Sequence, residues 1–307
     1  MKKILLMNLP KTNKDIKGCW CNGYVVHKGE NNDSINNATV FAKENNIIPE
    51  QDVIIKDHNN LKKKLKLAEY DIETIDFPKE LNTIKNLNHD AIFIRDRGMM
   101  FKNYWIKANF SVKDRIKEVN IVAEAIKNKF NKEIITPPEN AYIEFGEVHY
   151  IETKNGSYYF GGISRANRLG HEFVKSIIKP DNYLIIKSSG FHLDTVFCPV
   201  INKENELCAL LVAKNMVDKT SYEDLKKLGV RIIDVDNIDS SGDINDLGNY
   251  SVNGIVSPGY LINSQEFITA DVEEELKKLN ISRFVVPLTY FRFAGGSCHC
   301  LTNEFIE

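Results

Sequence analysis

The chain has 307 residues, 43% hydrophobic and 27% charged, which excludes a disordered chain and leaves room for one or two ordinary domains. Its 40 Lys and Arg against 42 Asp and Glu give a formal net charge of −2, so no global field gathers nucleic acid or anionic lipid. No apolar run approaches the roughly 20 residues that a membrane span needs.

The basic pair Lys2 and Lys3 precedes an apolar run, Ile4 to Met7, that stops at Asn8, Leu9 and Pro10. That run is too short for a secretory leader and reads as the first strand of a cytoplasmic protein. Residues 91–95 and 104–110 read as strands and 112–130 as a helix. In that helix Val112, Ile116, Val119, Ala123, Ile126 and Phe130 recur at three- and four-residue steps. Strands are predicted at 134–135, 141–143, 148–151 and 158–161, then a helix over 165–178. Strands at 183–186, 193–200 and 207–212 precede a helix over 222–228. Strands at 230–235 and 252–255, a helix over 265–279 and a strand at 284–286 complete the pattern. A doubly wound sheet alternates strand and helix one to one, whereas two to four short strands accompany each helix here. The spacing predicts a cyclic array of small α/β units of roughly 50 to 60 residues each. The Asn-, Lys- and Asp-rich stretches 30–37, 56–66 and 236–249 read as solvated loops or helix faces. The last is like a calcium loop at a glance, but Gly248 stands where the loop needs Glu.

Six cysteines do not make a disulfide scaffold in a chain of 307 residues. Cys19 and Cys21 form one C-x-C pair, Cys298 and Cys300 another, and Cys198 and Cys208 bracket a predicted hairpin. With His192 and His299 they could supply four zinc ligands, but paired zinc cysteines are normally separated by at least two residues. The expectation is therefore no metal, and no cofactor motif is present.

Four segments each place a reactive or charged residue at a strand end or glycine turn. Residues 90–98 carry Asp90, Phe93, Arg95, Asp96 and Arg97 into Gly98; an Arg–Asp salt bridge is the plain alternative. In residues 144–147 Glu144 and Glu147 flank Gly146, as a polar hairpin tip would. Along residues 191–197, read as a strand, His192 and Asp194 share one face, where they can move protons or hold a cation. Gly295 and Gly296 precede Ser297, Cys298, His299 and Cys300, so the backbone can bend and present a thiol. Several carboxylates beside a thiol do not suit a cysteine protease, which needs N–H donors for an oxyanion. They suit a planar guanidinium, whose fork of N–H groups carboxylates grip bidentately while its carbon stays open to attack. Without a bound cation the buried acids would raise one another's pKa and that of the thiol.

In this order and spacing the four segments, with Gly162, Ser164, Arg165 and Asn167 between the second and third, resemble the guanidino-group-modifying superfamily. That superfamily includes arginine deiminase, dimethylarginine dimethylaminohydrolase, agmatine deiminase and the amidinotransferases. The resemblance runs from Asp90 to Thr302. It implies an α/β fold, the pentein fold: a five-bladed propeller of pseudo-fivefold ββαβ units, one catalytic domain over residues 1–307, with the site on the axis. It further implies Cys300 as nucleophile through a thiouronium intermediate, Asp96 and Asp194 holding the guanidinium, and Glu144 with His192 managing protons. Asp90, Phe93 and His299 would line the substrate, with Arg165 and Arg115 gripping its carboxylate.

The chain departs from these relatives in places. Arginine deiminases have Arg where His299 stands, and His before the cysteine is closer to the amidinotransferases and agmatine deiminases. Asp90 matches the dimethylarginine hydrolases, which usually lack an acid at the Asp194 position. Phe145 and Glu147 stand where Gly and Asp are usual. The leading expectation is a metal-free hydrolase of an arginine-like guanidino compound that leaves a ureido product and ammonia or an alkylamine. The alternatives are an amidinotransferase, or a binding protein with an unreactive thiol. A homo-oligomer and a flap at residues 19–22 are further expectations; neither nucleic acid nor membrane is expected as a partner.

Overall fold

The computed structural model describes residues 2–11, 37–83, 86–111, 115–242 and 247–307. It opens with β1 (Lys3–Met7), followed by α1 (Asn37–Glu44), α2 (Gln51–Leu67) and β2 (Asp71–Ile75), then a short ladder of β3 (Asn82–Thr83) and β4 (Asn86–Leu87). The next unit is β5 (Gly98–Phe101), β6 (Tyr104–Lys107), α3 (Ile116–Phe130) and β7 (Glu133–Ile135). A second unit has β8 (Val148–Thr153), β9 (Gly156–Gly162), α4 (Arg168–Ile178) and β10 (Asn182–Ile186). A third has β11 (Phe197–Ile201), β12 (Leu207–Ala213), α5 (Lys219–Lys226) and β13 (Arg231–Val235). A fourth has β14 (Ile255–Ser257), β15 (Tyr260–Asn263), α6 (Val272–Lys278) and β16 (Ser282–Val285), after which β17 (Thr302–Ile306) follows.

The units repeat one topology. In each, the first two strands form an antiparallel hairpin and the helix carries the chain over to a third strand parallel to the second. The same pattern recurs where the two ends of the sequence meet. There β17 runs antiparallel to β1, with Ile4 opposite Glu304, and β1 pairs in parallel with β2 across α1 and α2. β17 also pairs with β5, joining this unit to the next.

Helix starts and burial follow from the local sequence. The Asn167 side chain accepts from Gly170 N at 2.9 Å and starts α4 later than the periodicity alone predicts. Asp218 caps α5 by accepting from the N–H groups of Thr220 and Ser221, so this helix starts earlier than expected. The expected helix over 265–279 contracts to α6. The middle strand β12 is apolar almost throughout because its sheet is covered on both faces. In α3 Val119, Ala123 and Ile126 of the expected stripe are buried together with Val122, whereas Ile116 is exposed, Phe130 is half-buried and Val112 lies outside the described residues. Residues 56–66, read as a solvated loop or helix face, belong to α2.

Besides the strand expected at 252–255, which begins only at Ile255, three expected strands differ. Residues 91–95 form parts of two 3-10 turns, His89–Ile92 and Ile94–Arg97. Residues 193–195 form another, so the third unit's first strand starts only at Phe197. Residues 141–143 contribute one isolated bridge, Asn109 to Ile143. The first two segments carry polar groups that turn towards one another rather than pairing in a sheet, and they build the site. No helix among the described residues is long and apolar enough to cross a membrane.

Candidate active site

Every expected catalytic side chain lies on a turn just before the first strand of a unit. Asp96 sits in the turn Ile94–Arg97 before β5, and Glu144 caps the turn Phe145–Glu147 before β8. His192 caps the turn Leu193–Thr195, which holds Asp194, before β11. Cys300 stands two residues before β17. His192 and Asp194 meet the site because a tight turn swings both side chains there, not because a strand alternates. Thr195 Oγ1 donates to the His192 carbonyl at 2.7 Å and holds that turn. Gly295, at φ +82°, allows the left-handed bend that precedes Cys300.

The turns are linked by side-chain contacts. Cys300 Sγ lies 3.4 Å from Asp194 Oδ2, and His299 Nδ1 lies 2.8 Å from the same oxygen. His192 Nε2 is 2.9 Å from Glu144 Oε2, and its Nδ1 is 3.6 Å from Asp96 Oδ1. Arg97 Nη1 donates to Asp96 Oδ2 at 2.9 Å, and Arg97 also pairs with the fully buried Glu118. The plain Arg–Asp salt bridge of this segment is thus made by Arg97, while Arg95 pairs with Glu304. One oxygen of each central acid, Oδ1 of Asp96 and Oδ1 of Asp194, receives no hydrogen bond. Buried acceptors left in this state are costly unless a ligand donates to them.

Burial sets the protonation states, and neighbouring charge then corrects them. Burial, reinforced by Asp194 and Asp96, pushes the Cys300 thiol well above its usual range. Burial raises Asp194 to about 7 against the pull of His192 and with the help of Asp96. For His192, burial pulls downward but loses to Asp96, Glu144 and Glu147, which raise the imidazole to about 9. Burial would raise Glu144, yet the His192 hydrogen bond and charge, with Arg115 and Arg165, hold it below its usual value. His299 is driven well below its usual range by burial and by Arg95, so it is neutral.

The remaining expected residues lie around this group. Asp90 and Phe93 are buried, and the Phe93 ring packs against Gly296, where a Cβ would stand 2.3 Å from it. Arg115 Nε donates to Glu118 at 2.7 Å, and its guanidinium lies 3.9 Å from both Asp96 and Glu144, over the Phe110 ring. Arg115 therefore faces the acids. Arg165 is half-buried over the Phe191 ring at 4.5 Å, and that ring lies 4.5 Å from the His192 imidazole. His299 uses its side chain on Asp194 and stacks on His149 with centroids 4.4 Å apart.

Sequence reasoning named Glu147 without a role and missed two further supporting residues, Glu118 and Asn253. Glu147 Oε2 accepts from Leu193 N at 2.9 Å, and its Oε1 accepts from Arg165 N, which ties the second turn to the third. Glu118 joins Arg97 to Arg115. Asn253, just before β14, contacts the Cys300 sulfur. Glu118 and Asn253 carry no motif signal, but Asn253 occupies the pre-strand position that the other units use.

Cys298 is buried in the core with its thiol pushed up to about 12, and Cys198 and Cys208 lie in the β11–β12 hairpin. Cys19, Cys21, the rest of the expected flap and Asp243 of the rejected calcium loop lie outside the described residues. No group of three potential metal ligands occurs among the described residues. A cavity of about 350 Å³ is lined by Arg95, His149, His299 and Glu304 among others, but none of Asp96, Glu144, His192, Asp194 or Cys300 lines it.

The turn at Gly146 offers a test of this geometry. A Cβ there would stand 2.4 Å from His192 Nδ1 and 3.0 Å from Asp96 Oδ1. Gly146→Ala is expected to displace the imidazole and lower kcat roughly 100-fold, the cost of an ångström-scale misplacement. Steady-state kinetics on the folded variant check it, and an unchanged kcat would mean that the imidazole position does not matter.

Comparison with known proteins places this geometry. The profile of the family described as N,N dimethylarginine dimethylhydrolase, eukaryotic, matches residues 25–307. The chain belongs to this family. As a member of the dimethylarginine dimethylaminohydrolase family it is a guanidino-group hydrolase. The N-terminal domain of ArgZ, a cyanobacterial arginine dihydrolase solved with substrate, has 17% identity and TM-score 0.73, over 100% of this chain and 99% of that one. The dimethylarginine dimethylaminohydrolase of Pseudomonas aeruginosa in complex with citrulline has 15% identity and TM-score 0.69, over 99% of each chain. AgrE in complex with L-arginine has 18% identity and TM-score 0.73, over 100% of this chain and 40% of that one. At these identities the likeness shows the fold, the α/β pentein fold of these structures. No curated protein sequence matches the chain.

Proposed function

We propose that the chain hydrolyses a C–N bond of an arginine-like substrate at Cys300, giving a ureido product and ammonia or an alkylamine. The observation that carries this reading is a thiol 3.4 Å from a buried carboxylate, within a group whose two central acids each keep an oxygen without a donor. A guanidinium supplies both the missing donors and the missing charge.

The chemistry follows from the protonation states. In the free enzyme the thiol and Asp194 hold protons at low and neutral pH, since each acid raises its neighbour. A bound cation reverses that balance: Asp194 and the Cys300 thiol give up their protons to solvent, and the thiolate becomes accessible beside a positive carbon. Sulfur attacks the central carbon and forms the S–C bond. His192, protonated below about 9, gives its proton to the departing nitrogen as the C–N bond breaks, leaving the thiouronium. Now neutral, His192 takes one proton from water, whose oxygen attacks the same carbon; the C–S bond breaks, and the second water proton returns to the departing thiolate as the ureido C=O forms. Glu144 orients the imidazole at 2.9 Å throughout. Arg97 fixes Asp96 and His299 fixes Asp194, so neither acid needs to reorganise during the reaction.

Arg165 is the proposed grip for the substrate carboxylate, stacked on Phe191 at the edge of the group. Arg115 balances the acids and is the second candidate; Asp90 and Phe93 are proposed to line the substrate's aliphatic part. The repeated units, including the one assembled from β17, β1 and β2, support a single catalytic domain arranged as a five-bladed propeller around these turns.

Incubation with L-arginine, and separately with Nω-methylated arginines, tests the reaction. Release of a ureido product with ammonia or the matching alkylamine is expected, in amounts unchanged by added glycine or lysine. A new guanidino acid formed from the added amine would mean transfer and would replace this proposal. His299, the feature that is closer to the amidinotransferases, uses its ring on Asp194.

A further inference from the structure

We propose that Asn253 is a catalytic residue, donating a hydrogen bond to the Cys300 sulfur that stabilises its thiolate while fixing the two turns that hold Cys300 and Asp194. This rests on Cys300 being the nucleophile. Asn253 is fully buried just before β14. Its Nδ2 lies 3.2 Å from Cys300 Sγ and 3.0 Å from the Asp194 carbonyl. Its Oδ1 accepts from His299 N at 3.0 Å and from Cys300 N at 3.4 Å. An amide has two donor hydrogens and two acceptor sites, and all four are used.

The partners also fix which way the amide points. Rotating it by half a turn would set Oδ1 against the Asp194 carbonyl and Nδ2 against two N–H groups, so only one orientation satisfies the site. A donor is thereby held against sulfur without freedom to leave. When the thiol ionises, this becomes a hydrogen bond to an anion, which is stronger than one to a neutral thiol. The neighbouring carboxylates at 194 and 96 oppose that ionisation, and among the contacts to this sulfur Asn253 is the side-chain donor that favours it. The other units supply an acid, an imidazole or the thiol from their pre-strand turns; the fourth unit supplies this amide.

The test is the pH dependence of inactivation by chloroacetamidine, a small cationic reagent that alkylates a thiolate, read as kinact with KI separated. Cys300→Ser is run first, and persistence of turnover in it would remove the nucleophile assignment and this inference with it. If Cys300 is the labelled nucleophile, Asn253→Asp and Asn253→Ala are expected to move the kinact profile to higher pH. At pH 7 they should lower kinact and kcat by about 10- to 100-fold, the usual worth of a hydrogen bond to a charged group, with KM little changed. Profiles superimposable on that of the parent enzyme would overturn the inference while leaving the nucleophile in place, because a purely structural role moves stability and not the profile. Asn253→Asp keeps both acceptor contacts, so it carries the test if Asn253→Ala does not fold. In the unaltered enzyme the Asn253 side-chain amide proton resonance is also expected to shift on alkylation of Cys300, and no shift would likewise overturn the inference.

Discussion

Cys300→Ser is expected to abolish turnover, by a factor on the order of 10⁶ as for other removed nucleophiles, while guanidinium binding survives. A serine hydroxyl in the same place ionises far less readily than a thiol, and His192, already protonated near neutrality, cannot take its proton. The carboxylates that grip the cation are untouched. Titration calorimetry of the variant with an arginine-like ligand should therefore show an affinity within a few-fold of the parent. It should also show proton release near pH 6, because Asp194 must give up its proton to hold a cation. Heats that do not depend on the ionisation enthalpy of the buffer would contradict that assignment. Activity retained in Cys300→Ser would end the nucleophile assignment.

His192→Gln is the second large effect. Gln keeps a hydrogen bond to Glu144 within reach but cannot carry a proton to the departing nitrogen or take one from water. A loss of roughly 10²- to 10⁴-fold in kcat is expected, the worth of one general acid–base group. The parent enzyme should show a bell-shaped profile, rising through about 7 as Asp194 ionises and falling through about 9 as His192 loses its proton. The variant should lose the alkaline fall. Stability supplies an independent check with a definite sign. A histidine raised from 6.5 to about 9 stabilises the fold fully below 6.5, and that contribution is lost as pH rises through about 9. His192→Gln should thus lower Tm more at pH 6 than at pH 10, and an equal effect at both would count against a charged imidazole.

Much of this was legible in the sequence because the chemistry is carried by residue types that rarely sit together without reason. The alternation of short strands and helices, the hairpin bracketed by Cys198 and Cys208, and the buried stripe of α3 follow directly from apolar periodicity. Asp96, Glu144, His192, Asp194 and Cys300 come together within one connected group. What could not be read were the turns. The run of apolar residues around Ala91 to Ile94 looks like a strand, but its backbone winds into 3-10 turns. Periodicity cannot separate the two for so short a segment. Asn253 was invisible for a different reason: it falls within residues 252–255, which read as a strand, and its role comes from contacts with segments far away in sequence. Glu118 likewise reads as a solvated helix residue, whereas two arginines bury it completely.

Because β17 finds its partner in β1, the sulfur sits on a seam sewn from opposite ends of the polypeptide. The acids belong to units built from neighbouring sequence, so they can be in place before this joint supplies a competent thiol. β17 lies between β1 and β5 and is paired on both sides, so Cys300 is held beside Asp194 by strands that neighbouring sequence alone cannot supply. Catalysis is thereby tied to the most non-local joint of the architecture.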